Sequence, residues 1–404
     1  MSTRRISLPA YAVFAALLAA AGLPIYIHAP KAYVDEYGVS LAALGAVLFG
    51  LRLFDVIQDP LLGRLAGLLR HQRALAVTGG VTLMVLAMLG LFAVVPPISP
   101  LVWFAIMLAG VFSAFSFLTI CFYAQGVQTA DEMEGAGHLR LARWRETGAL
   151  LGVCVAAVMP VVLGGFAGFA LGFAILGVTA LWMMRGEWGS KGDIPEAGFA
   201  PVLQDKIARR LLLIALFNAA PVAVSSTLFL FFVESRLAAP GWEGPFLLLF
   251  FLSAAVAAPF WGRAAEIYGP KRVLLAAMVL AITAFGFAIL LGAGDVWAFA
   301  AICIASGAAL GADLTILPAI FASRMAKIAP GAAGAFGLWS FVSKLSLAFA
   351  AIALLPALEM AGFRAGAENS ESALWALSLA YGLVPCVLKL FAIGLLATTH
   401  WKED

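Results

Sequence analysis

The chain has 404 residues, 63% of them hydrophobic and only 12% charged, with a mean hydropathy of +1.02 and a formal net charge of +3. Soluble domains carry about 25% charged residues, so this composition excludes a soluble globular protein and points to repeated crossings of a lipid bilayer. With no nucleophile–base constellation, no phosphate loop and no Cys/His ligand spacing, it also argues against an enzyme, a resident metal or cofactor, and a nucleic-acid partner.

Twelve apolar runs of membrane-spanning length are predicted. The first, 8–29, follows Arg4 and Arg5 and is long enough to span, so no cleavable leader is expected; it ends near Tyr26 and His28. The second, 40–62, carries Arg52, Asp55 and Asp59. Steps of three and then four residues put these groups on one face of a helix. Charges at membrane depth nearly always face a bundle interior or a watery cavity and mark an ion or substrate path. Two carboxylates on one face offer hard oxygen ligands to Na⁺, or share one proton. The alternative is a structural salt bridge with Arg52 or Lys344.

Spans at 74–95 and 100–124 follow, joined by 96-PPISP-100. Met84 and Met88 in the third read as packing, since no His or Cys accompanies them. The fourth holds Ser116, Thr119 and Tyr123, and a hydrophilic stretch, 125–146, precedes the fifth span at 146–163. After the sixth, 166–184, the stretch 185–210 is rich in Gly, Pro and charge and reads as a linker. This divides the chain into an N-terminal six-helix half (1–185), a linker (186–209) and a C-terminal half (210–404).

The second half has spans at 210–233, 245–265, 272–292, 297–321, 333–357 and 374–398. Asp313 lies in the tenth among small residues, either as a substrate ligand or as a partner for Lys344. Trp339 and Lys344 lie in the eleventh. An ammonium there is expensive unless it meets a carboxylate or snorkels to an interface. Lys389, in the twelfth, is expected to be structural or snorkelling.

The outer loops hold only Lys31, Arg236 and Arg364, whereas nearly all other Lys and Arg fall in inner loops, which predicts cytoplasmic termini. The loops 59-DPLLGRLAGLLRHQR-73 and 259-PFWGRAAEIYGPKR-272 repeat a Gly-Arg followed by a basic turn. That pairing resembles the loop signature of the major facilitator superfamily, whose two six-helix halves are pseudo-symmetric.

The stretch Tyr33–Gly63, YVDEYGVSLAALGAVLFGLRLFDVIQDPLLG, sharpens this resemblance. Asp35, Gly38, Ser40, Arg52, Asp55, Asp59, Pro60 and Gly63 fit the second-helix pattern of the glycoside–pentoside–hexuronide:cation symporters of melibiose-permease type. The segments 143-RWRETGALLG-152 and 336-FGLWSFVSKLSLAFA-350 are similar to the same family at Arg145 and Lys344.

The resemblance implies an all-α, twelve-helix major facilitator fold and symport of a small organic solute with Na⁺ or H⁺. Asp55, Asp59 and Ser116 would hold the cation, with Lys344 and Arg52 as charge partners. Where galactoside-carrying members place two sugar-binding acids, this sequence has Ala19 and Thr119, so a galactoside is not expected. Tyr26, Thr119, Tyr123, Asp313 and Trp339 are the substrate candidates. Arg145, Glu146, Arg64 and Glu266, at cytoplasmic helix ends, are candidates for an inner-gate latch. A lysolipid or other amphipathic solute is the second expectation, and a non-transporting membrane sensor or assembly protein the third. The chain is expected to act as a monomer in a bacterial inner membrane.

Overall fold

A computed structural model describes residues 6–133, 135–188, 199–329, 332–364 and 368–399; within its helices the side chains of Tyr26, His28, Asp35 and Arg52 lie outside the described residues. The order is α1 (Leu8–Tyr37), α2 (Leu41–Leu68), α3 (Arg73–Phe92), α4 (Pro100–Asp131), α5 (Gly137–Val162), α6 (Phe166–Met184), the short α7 (Ala200–Gln204), α8 (Lys206–Phe231), α9 (Glu243–Tyr268), α10 (Pro270–Gly286), α11 (Val296–Ile328), α12 (Ala333–Met360) and α13 (Glu371–Ala397). The described residues contain no strand. Among the described residues, eight helices are long and apolar enough to cross a membrane. The other long ones include α2, α5 and α12, which carry Asp55 with Asp59, Arg145 with Glu146, and Lys344.

Local chemistry sets the breaks. Gly38 caps α1 in the left-handed region at φ +63°, a conformation that glycine adopts without steric penalty. Ser40 then opens α2 by accepting from the Ala43 amide at 3.2 Å. Asp205 does the same for α8 through the Ala208 amide at 2.7 Å.

The hydrophilic stretch 125–146, left outside the predicted spans up to Glu146, is mostly helix, because its polar side chains find buried partners. Arg73 Nη1 donates to Gln125 Oε1 at 3.0 Å, and the Tyr11 and Thr129 hydroxyls meet at 2.6 Å. The remaining turn is tight: a Cβ on Gly137 would fall 2.3 Å from the Ala130 carbonyl oxygen.

Helices pack through small residues, as membrane bundles do where backbones approach closely. Gly148 and Gly152 of α5 lie against Ala12 and Ala16 of α1, where a Cβ would sit 2.2 and 2.5 Å from the facing carbonyl oxygens. Gly307 and Gly311 of α11 lie in the same way against Phe250 and Ala254 of α9, at 2.2 and 2.7 Å.

The chain forms two compact units. The first comprises Met1–Val202 with Ala322–Phe341, the second Leu203–Phe321 with Val342–Asp404. Segment 322–341 joins the first unit through glycine contacts: a Cβ on Gly337 would lie 3.2 Å from Gly63 Cα, and one on Gly63 would lie 3.3 Å from the Ala333 oxygen. The expected linker residues 189–198 lie outside the described residues, and α7 follows them.

Candidate cation and substrate site

In the first unit, Asp55, Gln58 and Asp59 of α2 are all buried, and Asp59 is fully enclosed. Asp55 Oδ1 accepts from Gln58 Nε2 at 2.8 Å and from Ser116 Oγ of α4 at 3.0 Å. Gln58 Oε1 accepts from Ser113 Oγ at 2.9 Å, so α4 offers two hydroxyls one turn apart. Asp59 Oδ2 accepts from Ser340 Oγ of α12 at 2.6 Å. Bonds to a carboxylate are about twice as strong as neutral ones, so these donors hold the two carboxylates firmly in place. Serine hydroxyls and the glutamine amide oxygen also carry lone pairs, so they can ligate a hard cation.

A second cluster lies on α4 and α5. Tyr123 OH donates to Glu146 Oε1 at 3.0 Å, and Arg145 Nε donates to the same oxygen at 2.7 Å. The guanidinium carbon stands 3.8 Å from the centroid of the Tyr123 ring, and Phe336 packs on that ring with centroids 5.0 Å apart. Arg145 Nη2 is buried without a hydrogen-bond partner among the described residues, as is Thr119 Oγ1 on α4. Buried donors of this kind are costly when unpaired, so both are open to a ligand's acceptor groups.

The sequence matches the profile described as MFS/sugar transport protein over residues 9–402. The chain belongs to the MFS/sugar transport protein family. That family includes the glycoside–pentoside–hexuronide symporters, and its members are transporters rather than enzymes. As one of them, this chain is an integral, multi-pass membrane protein.

Solved structures share the fold. A bacterial homologue of the iron transporter ferroportin, in an outward-facing state with soaked iron, is 16% identical with a TM-score of 0.69 and covers 96% of this chain and 99% of its own. The human organic anion transporter MFSD10 is 15% identical at 0.66, covering 96% and 98%. The E. coli fucose:proton symporter is 14% identical at 0.66, covering 95% and 97%. Among curated proteins none matches.

In this family member, the structure brings Ser116 to Asp55, and Tyr123 to Arg145 and Glu146. Trp339 is half-buried on the part of α12 that belongs to the first unit, whereas Lys344 lies in the second. The Arg64 guanidinium carbon lies 5.1 Å from the centroid of the Phe199 ring, and Glu266 belongs to the second unit. Asp313, read as a substrate ligand or a partner for Lys344, pairs with Lys389; of the two readings of Lys389 the structural one holds, since it is 3% exposed and also donates to Asn218 Oδ1 at 2.6 Å. Helix α13 carries it inward because Asp313 and Asn218 supply acceptors there.

Ser113, Gln58's acceptor role and Ser340 were not singled out as ligands by sequence. A signal existed: Ser113 is three residues before Ser116, and Ser340 four before Lys344, so each shares a helical face with a candidate residue.

Proposed function

We propose that this transporter couples entry of a small organic solute to Na⁺ or H⁺, with Asp55 and Asp59 as the cation site. The carrying observation is the buried shell around Asp55: the Ser116 hydroxyl and Gln58 amide that serve the carboxylate can themselves turn oxygen lone pairs to a cation. Ser340 supplies the equivalent hydroxyl to Asp59. Arg52 and Lys344 are assigned the countercharge that is released as the cation loads.

The solute is proposed to be sugar-like but not a galactoside. Thr119 presents one hydroxyl where galactoside carriers place an acid, and unpaired sugar hydroxyls would cost roughly 1–3 kcal/mol each. Thr119 Oγ1 and Arg145 Nη2 are two of the unpaired buried donors among the described residues, and Tyr123, Trp339 and Arg145 supply faces and charge for a ring bearing acceptors or a carboxylate. The chain is proposed to act as a monomer with both termini cytoplasmic; a Ser190→Cys variant in intact cells should resist a membrane-impermeant thiol reagent.

The test is uptake by reconstituted vesicles across a panel of radiolabelled hexoses, pentoses, hexuronates and α-galactosides, under an imposed Na⁺ or H⁺ gradient. A gradient-driven substrate is expected outside the α-galactosides. Its accumulation should vanish in Asp55→Asn and Asp59→Asn, while exchange at equal concentrations survives. Full gradient-driven accumulation by either variant, at normal expression, overturns the assignment.

A further inference from the structure

The second unit buries its own ionic cluster, formed by Asp313 on α11, Lys389 on α13 and Asn218 on α8. Asp313 is 6% exposed and Lys389 3%. Lys389 Nζ donates to Asp313 Oδ2 and to Asn218 Oδ1. Asp313 Oδ1 has no hydrogen-bond partner among the described residues. An ammonium has three donors, so one remains after those two bonds.

Asp313 and Lys389 both line a cavity of about 40 Å³. A single water needs roughly 10–15 Å³ on this measure and two to four polar partners, whereas a cavity near 150 Å³ takes benzene. The volume therefore suits one or a few waters and no organic solute. The partners are present. Asp313 Oδ1 accepts and the third Lys389 hydrogen donates. Ser225 and Ser306, also on the wall, have committed their hydrogens to the Val222 and Ile302 carbonyls at 3.1 and 2.6 Å, so their oxygens can act only as acceptors.

We propose that Asp313, Lys389 and Asn218 form a water-fed proton-binding site, separate from the Asp55–Asp59 site and not resting on that reading. A proton carried by cavity water adds to Asp313 Oδ1, forming one O–H bond. The donor hydronium becomes water, the Asp313–Lys389 pair passes from net zero to net +1, and no electrons move. Lys389 keeps the Asn218 oxygen and turns toward water. A metal cation is disfavoured, because it would sit beside the ammonium and needs several oxygens, while a proton needs one lone pair. Among the described residues lining this cavity, the titratable groups beside Asp313 are Lys389 and Cys386 of α13. Helix α8 offers the neutral Asn218 and Ser225, and α9 and α10 face the cavity with apolar side chains.

The experiment is infrared difference spectroscopy of the full-length purified protein in lipid nanodiscs, stepped from neutral to acid pH. A carbonyl band of a protonated carboxyl group is expected, shifting on ¹³C-aspartate labelling and in D₂O. It should vanish in Asp313→Asn, move in Asp313→Glu, and persist in Asp55→Asn and Asp59→Asn. Asp313→Asn strands an ammonium, so the double variant Asp313→Asn/Lys389→Met, which removes both charges together, is the second arm and should also lack the band. An acid-induced spectrum unchanged in the double variant overturns the proposal, as does an Asp313 band that answers Na⁺ and not pH. Failure of the Asp55–Asp59 reading would leave the Asp313 band in place.

Discussion

In the first unit Asp55 receives an amide and a hydroxyl, from Gln58 and Ser116; in the second, Asp313 receives the Lys389 ammonium. Both aspartates are buried in helices of a membrane protein, but their neighbours differ in what they can do next. Hydroxyls and amides have lone pairs, so the shell around Asp55 can reorganise around an arriving cation. An ammonium has none, so it offsets the charge of Asp313 without offering a ligand to a metal. Buried carboxylates thus differ in what the donors bonded to them can do next.

The largest expected effect tests the ammonium side. Lys389→Met alone leaves Asp313 unpaired and should destabilise the protein by about 3–5 kcal/mol, whereas Asp313→Asn/Lys389→Met should lie within about 1 kcal/mol of wild type. Thermal unfolding in detergent checks both, and equal losses would erase the contrast between the units. Next, Na⁺ at about 100 times its Kd should stabilise the wild type by about 2.7 kcal/mol. Asp55→Asn should abolish that shift and the Asp313/Lys389 double variant should retain it. A wild type indifferent to Na⁺ assigns the coupling role to the proton.

A smaller effect is expected from Ser116→Ala. Losing one hydrogen bond to a charged group, about 1.5–3 kcal/mol, should weaken ion affinity at least tenfold if the hydroxyl also ligates the ion. Unchanged affinity, measured by ion-dependent thermal shift, would remove Ser116 from the site.

The smallest effect separates acid sensitivity of the two carboxylate clusters from that of the α4–α5 turn. Burial pushes His138 down to about 4, with Arg145 adding to this and Asp131 opposing it. Its folded value lies below its unfolded one, so the unfolded chain binds more protons between them. The contribution is complete above about pH 6.5 and is lost as pH falls toward 4, on the order of 1 kcal/mol after allowing for partial exposure. His138→Gln should flatten that part of the stability profile without changing the ion response.

Much of the fold is legible along the chain because each apolar run must satisfy its own backbone hydrogen bonds in lipid, which makes helices of membrane length. The stretch 125–146 shows where such reading stops. Gln125 and Thr129 sit outside the predicted spans in one dimension, yet they pair with Arg73 and Tyr11 and let α4 continue. The Asp55–Asp59 face was readable from spacing within one helix. Its Ser340 donor was not, since it comes from a helix distant in sequence.

The sequence by itself determined the membrane class, the family and the shared face of Asp55 and Asp59, because those depend on hydropathy, motif and helical period. Only the tertiary structure decided which donors meet each carboxylate. It set Ser116 and Gln58 on Asp55, tied Ser340 to Asp59, and gave Asp313 to Lys389, a residue the sequence left open between a structural and a snorkelling role. The physical reason is that burial makes an ionic group seek whatever partner packing brings within hydrogen-bond reach, and packing joins helices whose order along the chain does not reveal their neighbours.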